Sequence, residues 1–457
     1  MKTKRLPLAA AILLAISTAQ GVNADENAVI ITDAVATINQ TGQGNSAKAI
    51  QKEGSGNKAY SAAIIQQGLD NSAGIYQIGD GGNRTASVNQ DGDENDANIR
   101  QEFNGADDDA DLTEALVVQT GNSNKADVTQ TDSLGATATV ISTLDGNSAT
   151  ISQTDSATAS ASIDQKSDSS TADVFQANAT QGSTVEVIQS GQIHAVYVNQ
   201  IDAEKSTAMV SQTGDAVNYA RINQNNFQNT ATITQKNGSA NTASSLQSGD
   251  YGIVNVLQTG DENESTNDQK GFALSALTEQ SGYRTTASIF QGGAANKAQI
   301  SQLFAAETGQ DNEAEVNQDG LDNDADVRQI GGNTSGTSIT QSNTGNTAQT
   351  VQRDSKGANF DVLQSGGENR VEGYQFRSYN SDIDIKQTGD YNEVDARQSG
   401  SGNRFEGFQR GADIAIDIQQ TGDNNKAEAE QSEWQVGISR DMTMKITQSG
   451  TINNSIT

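Results

Sequence analysis

The chain has 457 residues, with 58 Asp and Glu against 28 Lys and Arg, a formal net charge of -30 and a hydrophobic content of only 33%. No cysteine, one histidine and one proline exclude disulfide frameworks, thiolate metal sites, cysteine nucleophiles and a histidine-rich metal centre. The acidic balance argues against a nucleic-acid partner, whose phosphates need clustered Lys and Arg, and low apolar content with high charge reads by itself as disorder.

At the start, Lys2, Lys4 and Arg5 precede the apolar stretch Leu6–Ile16, and Val22, Asn23 and Ala24 suit a signal peptidase. This predicts a secretory signal peptide over 1–24. The stretch is shorter than the ~20 residues of a membrane helix, and no later one approaches it, so an exported chain without a membrane span is expected. Cleavage would remove Pro7, the one proline, which fits long ladders of central strands. A short segment over 25–39 follows.

From Gln40 onward the chain repeats. The blocks QDGDENDANIRQ (90–101), QTGNSNKADVTQ (119–130), QDGLDNDADVRQ (318–329) and QTGDYNEVDARQ (387–398) share the frame Q-x-G-x-x-N-x-A-x-(I/V)-x-Q. Glutamines recur every 11 or 12 residues, and about 34 of them hold the register between Gln40 and Gln448, with Ser142 in one further slot. A period of this size marks a solenoid or array and predicts ~17 two-strand repeats over 40–457.

Ahead of each glutamine the residues alternate, as in Ala220, Ile222, Gln224 or Ala325, Val327, Gln329. Period two is the strand signal and sets a small residue, a β-branched residue and the glutamine on one face. The stretch after it, such as TGDEN (259–263), reads as a tight turn needing positive φ. The expected fold is all-β: a β-solenoid of stacked strand-turn-strand repeats with a cross-β, amyloid-like core. In-register stacking places identical amides above one another, so each donates to one neighbour and accepts from the other. The candidate structural amide ladder is Gln90, Asn95, Gln101, Gln119, Asn124, Gln130, Gln258, Asn263, Gln318, Asn323, Gln329, Gln387, Asn392 and Gln398.

These blocks, with QKEGSGNKA (51–59) and QSGSGNRFEGFQ (398–409), resemble the curlin repeats of bacterial curli fibres. The resemblance implies a subunit that polymerises with itself and with other curlin subunits on the cell surface as biofilm matrix. It also implies export through the periplasm and an outer-membrane curli secretion channel. The chain has more repeats than the better-known curlins, its 25–39 segment lacks a Gly-rich leader, and its frame resembles the minor nucleating subunit as much as the major one.

The register is interrupted near 102–114, 303–307 and 432–443, where loops are expected. Asp107, Asp108, Asp109 and Asp111 in the first offer oxygen ligands of the kind Ca²⁺ takes, against the plainer reading of a solvated acidic loop. Trp434 in the third suits an end cover as well as a binding residue. Asp93, Asp215, Asp250, Asp261, Asp390 and Asp423 recur three after a glutamine; alternation with other residues reads as avoided repulsion rather than a metal column. His194 falls in the asparagine slot after Gln189 and reads as a repeat variant. No phosphate-cradling loop is present, and no catalytic, cofactor or metal site is expected. Two functions remain: a self-assembling structural protein, whose last block ends without a capping helix and whose bare strand edge templates another chain, and a capped monomeric solenoid adhesin binding carbohydrate or a surface.

Overall fold

A computed structural model describes residues 15–16, 26–31, 35–53, 60–79, 83–103, 112–179, 182–214, 216–304, 311–432, 442–451 and 453–456. It is 76% strand, with no helix among the described residues, so strands must satisfy one another's backbone groups. The chain falls into two compact units, Met1–Met209 and Val210–Thr457, which hold about 16 turns of β-solenoid, close to the ~17 repeats expected from the glutamines.

In the first unit, Asp96–Phe103 pairs in parallel with Ser72–Gly79 and Lys125–Thr131. The intervening Asn83–Asp91 pairs with Tyr60–Gln67 and Leu112–Thr120. Strands adjacent in sequence therefore belong to different sheets, and each pairs with the strand two places on. The second unit repeats the scheme: Asp382–Thr388 lies between Asn359–Gly367 and Arg404–Arg410, and Glu393–Ser401 between Arg370–Tyr379 and Ile414–Asp423. Like slots stand in register, as Ala86, Val88 and Gln90 do against Ala115, Val117 and Gln119.

The alternation in the sequence is the alternation in burial. Along Lys125–Thr131 only Ala126, Val128 and Gln130 are buried, and the core between the two sheets is thin. It is not uniform in volume. Phe360 and Phe405 fill slots held elsewhere by alanine, and a Cβ at Gly373 would sit 1.8 Å from the Phe360 ring. The two glycines in RVEGYQF and RFEGFQ, at 373 and 407, thus stand where a phenylalanine needs room, as strand glycines often do.

The turns are built on two left-handed residues. Gly92 has φ +126°, and a Cβ there would come 2.0 Å from the Gly121 carbonyl oxygen, so stacking as well as backbone conformation requires glycine. A second left-handed residue stands four after the glutamine and is not glycine: Glu94, Ser123, Glu262 and Tyr391 have φ of 58, 57, 55 and 59°. Its N–H is bonded to the previous turn, Glu94 to Leu69 O at 2.9 Å and Tyr391 to Gly367 O at 2.9 Å, which offsets the strain. The expected loops at Asp107 to Asp111 and at Trp434 lie outside the described residues, as does the 1–24 segment except for the strand Ala15–Ile16.

Candidate functional site

Parallel in-register pairing sets the interior glutamine of a strand at the same height as the corresponding residue of the strands above and below, which is another glutamine except where Ser142 interrupts the column. In the first unit Gln66 Nε2 donates to Gln90 Oε1 at 2.8 Å, and Gln90 to Gln119 at 2.9 Å. On the other sheet Gln77 donates to Gln101, and Gln101 to Gln130, both at 2.8 Å. In the second unit Gln258 accepts from Gln235 at 2.8 Å and donates to Gln280 at 2.9 Å. Gln329, on the same sheet, joins Gln302 to Gln352, and Gln398 joins Gln375 to Gln420. Gln318 and Gln387 belong to the facing sheet, linking Gln291 to Gln341 and Gln364 to Gln409. The glutamines are buried, and each spare N–H reaches across to a backbone carbonyl, as Gln258 Nε2 does to Thr242 O at 2.9 Å.

The asparagines form separate columns at the corners. Asn95 Nδ2 donates to Asn71 Oδ1, and Asn124 Nδ2 to Asn95 Oδ1, both at 3.1 Å. Asn263 donates to Asn241 at 3.1 Å, on the corner that follows Ile253–Asp261. Asn323 and Asn392 line the opposite corner of that unit, donating to Asn296 and Asn369. The two kinds of column run in opposite senses: glutamine donates to the following rung, asparagine to the preceding one. Oriented dipoles that oppose one another build up less field along the stack than a single sense would.

The columns stop where the residue type changes. Gln119 meets Ser142 in register, and Ser142 Oγ instead donates to Gln165 Oε1 at 3.1 Å. After Asn392 the corner position passes to Ile414, and Asn392 Oδ1 has no hydrogen-bond partner among the described residues. His194 takes the asparagine place: it is buried, its backbone N–H meets Ser170 Oγ at 3.0 Å, and its Nε2 lies 3.0 Å from Ser190 O.

Three arrangements were not found by sequence reasoning. The aspartates three after a glutamine hold turns together: Asp93, Asp261 and Asp390 each accept a backbone N–H of the preceding turn, from Leu69, Ser239 and Gly367 at 2.8, 2.7 and 2.6 Å. Repulsion is also not avoided everywhere. On the outer face of the second unit Asp361, Asp384, Glu406 and Glu428 stand directly in register. Burial first, then neighbouring carboxylates, hold Asp361 and Asp384 above the ordinary carboxylate range, against the opposing pull of Arg404 and Lys386 on Asp384. The period-two pattern announces these outer positions, but pairing charges down a column requires the strand register. The third is Arg84, fully buried between the rings of Tyr60 and Phe103 at 4.7 and 4.3 Å and donating to Ile78 O at 2.8 Å. Stacking on aromatic faces is how a guanidinium tolerates such a place.

Among the described residues, no group of three or more His, Asp or Glu side chains is arranged to hold a metal ion. The arrangement's chemistry is the pairing of like with like. No curated protein matches the chain. Residues 380–406, the stretch that carries Gln387, Asn392 and Gln398, match the family model of the curlin associated repeat. With that repeat on a parallel β-solenoid, the chain is consistent with a curlin repeat family protein and fits a curli-like structural role.

Proposed function

We propose that the chain is a structural subunit of an extracellular, curli-like amyloid fibre, exported through the periplasm and an outer-membrane channel and stacked head-to-tail as biofilm matrix and adhesive surface. The observation that carries this reading is the in-register amide column. Each rung offers its neighbour the same strand edge and the same amide, so a rung of another copy is as good a partner as a rung of the same chain. Heterologous stacking of this kind does not close and yields filaments. A capped monomeric adhesin is the second reading, favoured by the column of Phe227, Tyr251 and Phe272, whose rings meet edge-on at 5.5 and 5.2 Å. Tyr251 and Phe272 remain 42% and 54% exposed, a surface suited to stacking on sugar rings.

The test is to incubate the purified chain from Asp25 onward and examine it by electron microscopy and fibre diffraction. Fibres with a meridional reflection near ~4.8 Å, and loss of the lag on seeding, support the fibre. A chain that stays soluble and monomeric for days with and without seeds, yet is fully β by circular dichroism, overturns it in favour of the adhesin.

A further inference from the structure

The glutamine columns have a direction, and their first members are incomplete. Gln40 and Gln51 are buried, and each donates forward, to Gln66 at 2.6 Å and Gln77 at 2.7 Å. Neither Oε1 has a hydrogen-bond partner among the described residues. A buried acceptor without a donor is costly. The glutamines that follow, Gln66, Gln77, Gln90 and Gln101, are spared that cost by the rung before them, and the defect returns only at Gln431, whose Oε1 has no partner among the described residues. At the far end of the second unit, Gln448 accepts from Gln420 at 2.8 Å, and among the described residues no glutamine follows it. Its Nε2 keeps the backbone bonds that interior glutamines also make, to Lys426 O and Asn453 O, and meets Ser455 Oγ where the others meet the next glutamine. The first rungs of the first unit therefore leave amide acceptors open, and the last glutamine of the second unit holds a donor that a following glutamine could take over from Ser455 Oγ.

What lies against the acceptor end explains part of the defect. The strand Glu26–Ile31 pairs in parallel with Ser46–Glu53 and sets Ile31 in register with Gln51. Later rungs fill that slot with Gln77 and Gln101, whereas isoleucine has no amide to give. The strand Ala15–Ile16 pairs with Val35–Thr41, but it lies within the stretch read as a signal peptide, so cleavage after Ala24 would remove it. Glu26–Ile31 would stay.

We propose that Glu26–Ile31 is a displaceable cap on the acceptor end, and that its natural replacement is the donor end of a second copy. Met442–Thr451 of that copy would bring its Gln448 amide to Gln40 Oε1, and the following strand, Asn454–Ile456, would take the place of the cap on Ser46–Glu53. This rests on the fibre reading above and adds to it a fixed polarity and a gate. Assembly waits on loss of a strand that covers the edge while leaving its amide acceptor unsatisfied.

Three variants of the chain from Asp25 onward test the gate against the parent, by thioflavin lag and seeded elongation rate. Deleting Glu26–Ile31 should shorten the lag about tenfold, the equivalent of removing ~1.4 kcal/mol of competition. Ile31→Gln supplies the missing donor, tightens the cap and should lengthen the lag by a similar factor. Gln448→Glu keeps an acceptor for Gln420 but has no outward N–H, so it should slow seeded elongation about tenfold while hydrogen exchange across the rest of the array matches the parent. If the parent forms fibres and Ile31→Gln and Gln448→Glu follow its kinetics, the cap and the polarity are overturned and the fibre reading stands. If neither the parent nor the deletion variant forms fibres, the fibre reading falls, and this inference with it.

Discussion

Three neighbouring strands of the second unit, Asn359–Gly367, Asp382–Thr388 and Arg404–Arg410, carry two columns on opposite faces. Inside run Gln364, Gln387 and Gln409, joined at 2.8 Å; outside run Asp361, Asp384 and Glu406 in the same register. The backbone geometry is identical, and only the side-chain chemistry differs. An amide is both donor and acceptor, so its own copy one rung away completes it. An ionised carboxylate is acceptor only, so its own copy repels it, and the spacing of ~4.8 Å lies inside the screening length of ~8 Å in physiological salt. In-register stacking therefore multiplies whatever a slot contains, for good or ill, and nearby cations such as Arg404 beside Glu406 and Lys426 beside Glu428 offset part of the outer repulsion.

Turning an inner position into an outer one should have the largest effect. Gln387→Glu places a carboxylate between Gln364 and Gln409 and should destabilise the second unit by ~3–5 kcal/mol at neutral pH, the scale of an uncompensated buried charge. Denaturant midpoints would show it, and recovery on acidification would identify the charge as the cause. Next comes Gly389→Ala. Gly389 has φ +105°, and a Cβ would lie 2.0 Å from Gly411 O, so a loss of ~1–3 kcal/mol is expected from strain; a melting point equal to the parent's would contradict the stacked turn.

The converse change on the outer column should be smaller and opposite in sign. Asp361 and Asp384 have folded pKa values raised above the ordinary 3.8, so the folded state binds their protons more tightly than the unfolded chain does. Their destabilisation is complete above the folded values, and fades as pH falls through them towards the unfolded value. Asp384→Asn should therefore stabilise the protein at pH 7, by less than ~1 kcal/mol given solvent screening, and confer no gain below pH ~3. Thermal melts of both proteins across a pH series measure this; a gain independent of pH would assign the effect to something other than charge. The smallest effect is expected at Thr388, half-buried beside the glutamine, where alanine should change stability by no more than ~0.5 kcal/mol. A loss at Thr388 as large as that at Gln387 would reverse the assignment of inner and outer faces.

Much of this was legible without coordinates, because a repeat reports its own geometry. The period of 11 or 12 residues between glutamines fixes strand length and turn position together, and alternation picks the buried face, so the slots of Ala126, Val128 and Gln130 could be read from the letters alone. The columns that join Gln90 to Gln119 and Gln101 to Gln130 needed more. Neighbours in sequence belong to different sheets, so the fourteen candidate amides fall into several columns rather than one, and the corner that carries asparagine differs between Asn263 and Asn323. The role of Asp93 was hidden because its partner, the Leu69 N–H, belongs to the turn before, and nothing in a single block refers to the rung it rests on.

The sequence by itself determined an all-β solenoid of stacked repeats, its period, and which positions of each strand face inward, since these follow from period and side-chain type. Only the tertiary structure decided which letters meet: that Phe360 is accommodated by Gly373 on another strand, that Asp384 stands beneath Glu406, that Ile31 faces the register position of Gln51. Contacts of this kind lie about one full turn of chain apart, or cross between sheets, and composition cannot set them because any residue in the right slot would keep the period. They are fixed by volume and charge at a distance set by the strand spacing, which exists only once the chain has coiled.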